Sequence, residues 1–260
     1  MNESRGAGGQ GEAPFISHLI ELRNRLIRIV ITVGLLFVPL AFFRNDIFTF
    51  VAGPLMARMP AGTSMIATAP TAPFFTPFKL ALVAAVFLSV PFILWQIWAF
   101  IAPALYQHEK RFAMPLLSLS TILFYTGVLF AYFVVLPVFF SFIVHVAPHG
   151  VQVMTDISSY LDFVLTIFFA FGLAFEIPIA IVLMVWAGII TPEALTSKRP
   201  YILIGSFVIG MLLTPPDIFS QTLLALPIYG LFELGIFLSR VMVVRRRRER
   251  EDDDRDDGDS

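Results

Sequence analysis

The chain reads as an all-α, polytopic membrane protein: six transmembrane helices in a curved bundle, with both termini on the cytoplasmic side. Three observations predict this. Apolar runs recur at Ile27 to Phe43, Phe78 to Leu105, Met114 to Ile143, Leu161 to Trp186, Tyr201 to Leu213 and Ile218 to Leu238, and most reach the ~20 residues that span a hydrocarbon core. Lysines and arginines cluster around the start of the first run (Arg23, Arg25, Arg28), in alternate loops (Lys110, Arg111; Lys198, Arg199) and in the tail (Arg240, Arg245 to Arg248, Arg250), which makes those segments cytoplasmic by the positive-inside rule. Composition agrees, with 57% hydrophobic and only 14% charged residues and a mean hydropathy of +0.82, far from the ~25% charged residues of soluble domains.

Taken in order, residues 1–14 form a polar, glycine-rich leader without the pattern of a cleavable signal peptide. Beyond Pro14, Phe15, Leu19, Leu22 and Leu26 recur at helical spacing, with Glu21, Arg25 and Arg28 on the other face, so a short cytoplasmic helix is expected to feed the first span. The first outer loop, Arg44 to about Pro77, is rich in proline, glycine and threonine; its composition predicts ordered turns and an interfacial helix around Ile47 to Val51. The membrane domain extends over residues 15–240. Past it, residues 241–260 carry a basic block and then an acidic one, and are expected to be a disordered, charged cytoplasmic tail. Prolines at Pro39, Pro91, Pro137, Pro178 and Pro227 each delete a backbone hydrogen bond within a span and bend it.

The last two spans are short. Tyr201 to Leu213 gives about 20 Å of helix at the standard rise, against a hydrocarbon core of about 30 Å. Glu233 interrupts the final run. The pair either forms a re-entrant hairpin or crosses a locally thinned bilayer, and tolerance of mismatch favours crossing. No internal repeat relates the two halves, which counts against an inverted-repeat transporter.

Four acidic residues could carry function. Glu21 has a structural reading as the i, i+4 partner of Arg25, and Glu109 one as a single charge in a mixed loop beside Lys110 and Arg111. Together they could also receive guanidinium groups, which engage carboxylates bidentately. Glu176 lies mid-span in F-G-L-A-F-E-I-P-I-A, where an ionisable group is costly and a functional candidate; on an ideal helix it shares a ~100° arc with Asp162 and Thr166. Asp217, after two prolines, is placed to cap the sixth span. With no cysteine, and with His145 and His149 lacking ligand spacing, neither a metal site nor a cofactor is expected. Hydrolase, metalloprotease and nucleotide-binding motifs are missing, so the chain reads as a binding or transport protein and not as an enzyme or nucleic-acid binder. A proton-coupled small-solute transporter using Glu176 is the alternative.

Five segments carry a resemblance: S-H-L-I-E-L-R-N-R-L, M-I-A-T-A-P-T-A-P-F-F-T-P-F-K-L, Q-I-W-A-F-I-A-P-A-L-Y-Q-H-E-K-R, F-E-I-P-I-A, and the stretch from K-R-P-Y-I-L-I-G to T-P-P-D-I-F-S-Q-T-L-L-A-L-P. They resemble the TatC family, the core subunit of the twin-arginine protein translocase, over Ile16 to Arg240. The resemblance implies a glove-shaped, six-span protein of the bacterial cytoplasmic membrane. Such a protein receives twin-arginine signal peptides, self-associates within a larger complex, and joins TatA and TatB type single-span subunits to export folded proteins on the proton-motive force. At matching positions it implies a signal-peptide site of Glu21, Arg23, Phe100 and Glu109, and a groove lined by Glu176. It further implies outer-side roles for Pro54 and Asp217, and partner docking at Met211, Thr214 and Gln221.

Overall fold

A computed structural model describes residues 12–57, 65–105, 113–146, 154–214 and 217–256. Eleven helices form among them: α1 (Glu12–Phe42), α2 (Arg44–Met56), α3 (Ala72–Leu88), α4 (Val90–Leu105), α5 (Ala113–Phe130), α6 (Leu136–Val146), α7 (Ile157–Ala174), α8 (Ile177–Trp186), α9 (Pro192–Ser197), α10 (Arg199–Leu213) and α11 (Ile218–Asp256). A single π-helical turn, Ala131–Val135, joins α5 to α6. The chain is an all-α membrane protein. Among the described residues, four stretches are long and apolar enough to cross a bilayer: Leu19–Phe42, Met114–Ile143, Ile157–Trp186 and Ile218–Val243. A fifth comprises α3 and α4, bent by 49° at their junction, and α10 is a shorter apolar helix.

The helices divide into two compact units, residues 1–48 with 77–121 and residues 49–76 with 122–260. In the first, α1 packs on α4. The expected feeder helix and first span prove to be one helix of 31 residues. It starts at Glu12, ahead of the leader boundary, because a proline in the first turn costs no hydrogen bond. Its apolar side chains point outward, and Val30, Ile31, Leu35, Val38 and Phe42 are all exposed; for a span this is surface for lipid.

In the second unit the core runs along α7, where Leu161, Val164, Ile167, Phe168 and Phe171 are buried at the spacing of one helical face. Close crossings set its packing. A Cβ on Gly172 would sit 2.6 Å from the Phe124 ring, and one on Gly127 would sit 2.4 Å from the Phe171 carbonyl oxygen, so only glycine lets α5 and α7 approach this far. Gly235 plays the same part between α11 and α8, where a Cβ would fall 2.7 Å from Ile181. At the end of α8, Gly188 takes φ 72°, and Gly188 and Ile189 return their N–H groups to Val185 and Met184 to close the helix. Thr191 then caps α9 by accepting from Ala194 N–H at 3.2 Å.

Three of the five span prolines coincide with joints. Pro91 follows the α3–α4 bend, Pro137 follows the π turn and Pro178 opens α8 after the break at Phe175 and Glu176. Pro39 and Pro227 lie within continuous α1 and α11. The helix expected around Ile47 to Val51 is longer, running as α2 over Arg44–Met56. α11 continues through Asp256, so the helix runs on into the charged tail. Arginine and glutamate are strong helix formers.

Two distant loops are stitched together in the second unit. Ile66 N–H donates to Thr155 carbonyl oxygen at 3.0 Å, and Ile157 N–H to Ile66 carbonyl oxygen at 2.9 Å. Asp156 caps α7 through Ser158 and Ser159 N–H, while its second oxygen accepts from Thr68 N–H at 2.9 Å and the Thr68 hydroxyl at 2.8 Å. The N–H groups of Ser159 and Thr68 hold this carboxyl well below the usual carboxylate range. A depressed folded-state pKa gives stability that is fully present above the unfolded value of about 4 and is lost as pH falls below it. Asp156→Asn should therefore speed hydrogen exchange at the Ile66 and Ile157 amides at neutral pH and lack this part of the wild-type loss of thermal stability on acidification. Equal exchange and equal acid dependence in the two proteins would refute the clasp.

Candidate functional site

Within the first unit, Arg25 ties α1 to α4. Its Nε and Nη2 donate to Glu21 Oε1 at 3.0 and 2.5 Å. Its Nη1 reaches Gln96 Oε1 at 3.1 Å and Nη2 reaches the Ala99 carbonyl oxygen at 2.9 Å. The i, i+4 pairing expected from the sequence is thus made. The two partners differ in exposure: the Arg25 side chain is 17% exposed and that of Glu21 42%. Glu21 therefore presents carboxylate to the surroundings while a mostly buried guanidinium holds it in place. Arg23 is exposed next to it, with Nη2 3.4 Å from Asn24 Oδ1, and Phe100 sits half-buried on α4, one residue past Ala99. Glu109 lies outside the described residues.

Glu176 occupies the joint between α7 and α8. Its N–H donates to the Leu173 carbonyl oxygen at 3.1 Å and its own carbonyl accepts from Ala180 at 2.9 Å, so it ends one helix and starts the next. Its Oε1 is buried. Asp162 and Thr166 are exposed, and the Thr166 hydroxyl donates to the Asp162 carbonyl oxygen at 2.6 Å; the arc drawn on an ideal helix therefore holds groups in different surroundings. Asp217 caps α11, accepting from Ser220 N–H at 2.7 Å, as its position suggested. Pro54 is buried within α2.

On the α10–α11 hairpin, Met211 and Gln221 line one apolar groove of about 340 Å³ together with Leu203, Ile204, Phe207 and Val208. Thr214, expected to join them, is 6% exposed and gives its hydroxyl to the Gly210 carbonyl oxygen at 2.9 Å. The hairpin is braced at its other end by an ion pair, Arg199 Nη2 to Glu233 Oε2 at 2.6 Å, with the Tyr229 hydroxyl on Glu233 Oε1 at 2.9 Å.

The family model described as Sec-independent protein translocase protein (TatC) matches residues 17–227. The chain belongs to the TatC family. Among TatC relatives, that of Haemophilus influenzae is 63% identical over 227 residues, covering 87% of this chain and 89% of its own. The TatC of Escherichia coli K12 is 57% identical over 234 residues, covering 90% and 91%. A crystal structure of the twin arginine translocase receptor TatC superposes with a TM-score of 0.77 at 39% identity, covering 86% of this chain and 98% of that one. TatC membership makes the chain a component of a protein translocase and sets aside the solute-carrier alternative.

Sequence reading of this TatC chain missed the residues that hold the site. Gln96 is a lone amide in V-P-F-I-L-W-Q-I-W-A-F, and a polar group in so apolar a run asks for a partner, yet nothing local names Arg25, 71 residues away. Glu233 likewise stood out, while its mate Arg199 was counted only as a loop charge. Removing Arg25 should leave Gln96 without its guanidinium and α1 without its tie to α4. Hydrogen bonds to charged groups contribute about 1.5–3 kcal/mol, so Arg25→Gln should lower stability by about 2 kcal/mol in thermal unfolding of the detergent-solubilised protein. Arg25→Lys should restore only part, because an ammonium cannot fork between Glu21 and α4. A melting temperature equal to wild type for Arg25→Gln would overturn the brace.

Proposed function

We propose that this chain is the signal-peptide receptor and core subunit of a twin-arginine translocase in the bacterial cytoplasmic membrane. In this reading it has six spans and both termini on the cytoplasmic side. The observation that carries it is Glu21, a carboxylate exposed on the α1 surface and braced from behind by Arg25. A guanidinium of the incoming peptide can share or replace the Arg25 contact at little cost, because Arg25 keeps its acceptors on Gln96 and Ala99. One charge-assisted bond is exchanged for another, and the receptor does not unfold its own packing to receive the ligand. Glu109 supplies the second carboxylate of the site, with Arg23 and Phe100 beside it. Pro54 and Asp217 act on the opposite side of the membrane, where each shapes a helix: Pro54 within α2 and Asp217 at the start of α11. The chain performs no catalysis; the proton-motive force drives export, and Glu176 is the intramembrane carboxyl placed to respond to water or a polar group entering from the bundle surface.

Direct binding tests the receptor reading. A fluorescent peptide with paired arginines should bind the purified protein, and Glu21→Gln and Glu109→Gln should each weaken it by about tenfold, the size expected from losing one partly screened charge-assisted hydrogen bond. A Lys-Lys peptide should bind wild type as weakly. Unchanged affinity in all three comparisons would sink the assignment.

Partners of the TatA and TatB type, each with a single span, dock along the groove bearing Met211 and Gln221. An apolar groove in lipid gains little from water exclusion, so packing and interhelical hydrogen bonds of about 1 kcal/mol each must hold the partner, and Gln221 is the polar lining residue able to supply one. The chain has no cysteine, so single cysteines report cleanly. Met211→Cys and Gln221→Cys should cross-link to a cysteine-bearing partner span, while Thr214→Cys should react less because that side chain is buried. Cross-linking of equal yield on the exposed face of α1, for example at Leu35→Cys, would place the docking surface elsewhere.

A further inference from the structure

Cations converge where α10 begins. Arg240 Nη2 donates to Thr196 Oγ1 at 2.7 Å, drawing α11 onto α9, and Lys198 Nζ lies 5.5 Å from the centre of the Tyr201 ring. Arg199, between them in the chain, reaches Glu233. Among the described residues this corner brings Lys198, Arg199 and Arg240 together with Glu233, and both oxygens of that carboxylate are engaged, one by Arg199 and one by Tyr229. Arg199 Nε is buried without an acceptor among the described residues. Thr196, the partner of Arg240, is neutral; Glu233 is near enough to feel the Arg240 charge, but its oxygens are taken by Arg199 and Tyr229, so Arg240 and Lys198 make no direct ion pair among the described residues.

The surroundings say what kind of anion fits. Tyr201 is exposed, and an amphipathic ring at the end of an apolar helix marks the level of lipid headgroups. From that level Ile204 on α10 and Leu234 and Phe237 on α11 expose apolar surface. An anion bound here has hydrocarbon on one side and water on the other. We propose that Lys198, Arg199 and Arg240 bind the headgroup phosphate of an anionic phospholipid, whose acyl chains lie on the exposed apolar sides of α10 and α11. A phosphodiester brings acceptor oxygens to several donors at once, and guanidinium forks match its geometry. A zwitterionic headgroup adds an ammonium that the same cations repel. Bound at this corner, the lipid joins α9, α10 and α11 from outside, much as Arg199 and Glu233 join the hairpin from within.

Native mass spectrometry of the full chain, released from mixed vesicles of phosphatidylglycerol and phosphatidylcholine, measures this. Wild type should retain phosphatidylglycerol over phosphatidylcholine on the order of a hundredfold, following the roughly 1 kcal/mol that each of the three basic residues near a membrane surface contributes. Lys198→Gln with Arg240→Gln should abolish the preference, and the charge-matched control Arg28→Gln with Lys79→Gln should keep it. Should the double variant fail to fold, a photoactivatable phosphatidylglycerol reports on wild type: labelling confined to peptides covering 195–204 and 233–243 supports the site. Labelling elsewhere, equal retention of the two lipids, or a preference unchanged in the folded double variant overturns it. Inorganic phosphate added during release distinguishes the source of the anion, since displacement at the same concentration as phosphatidylglycerol would make the site one for free phosphate and the lipid assignment wrong.

Discussion

A proline inside a helix surrounded by hydrocarbon strands one carbonyl, and no water is at hand to take it. Much of the architecture follows from how the chain answers that constraint. At Pro137 the ladder slips by one residue: Leu136 donates five residues back to Ala131, and the π turn carries the chain across the missing bond. At Pro91 the chain bends at the buried Ser89, whose hydroxyl donates to the Ala85 carbonyl oxygen at 2.7 Å while its N–H serves both Ala85 and Val86. At Pro178 the helix stops and restarts, and Phe175 and Glu176 turn back to Phe171 and Leu173. Each joint thus redirects backbone hydrogen bonds within about a turn of its proline. Two of them also place chemistry: the Ser89 joint sets the course of α4, which carries Gln96, and the Pro178 joint holds Glu176.

Charge is handled by the same economy. The resolved ion pairs, Arg25 with Glu21 and Arg199 with Glu233, each include a group half exposed and each draw in a neutral acceptor or donor, Gln96 in one case and Tyr229 in the other. An isolated ion in hydrocarbon would be far more costly. By pairing at the ends of apolar stretches, the chain keeps its cations usable: Arg25 braces a carboxylate that still faces outward, and Arg199 stiffens a hairpin whose groove lies further along α10.

The legible part of this protein was whatever lipid dictates. Apolar length, loop charge and proline placement fixed the helical class and most of the joints, because a bilayer imposes one solvent and one thickness on every span. Local chemistry was readable too: Glu21 with Arg25 and the Asp217 cap each involve residues within four positions of one another. What stayed hidden joins distant stretches. The Arg25 to Gln96 bond, the Arg199 to Glu233 bond and the burial of Thr214 depend on which helices become neighbours, and hydropathy is blind to that. The length of α11 was not legible either, because a run of like charges says nothing about where a helix stops, and arginine and glutamate let it run to Asp256.

The stitch between Ile66, Thr68 and Asp156 has a consequence for the order of synthesis. Thr68 and Asp156 are 88 residues apart, and at about 5–20 residues per second the earlier segment leaves the ribosome several seconds before its partner exists. Meanwhile the intervening helices must enter the bilayer, and only then can the Ile66 amide and carbonyl exchange water for backbone. Closing so long an intervening stretch carries an entropic penalty that grows only logarithmically with its length, so the delay, and not the distance, is the main cost. During that interval the first loop stands unfastened on its side of the membrane, and its clasp can close only when α7 begins to emerge.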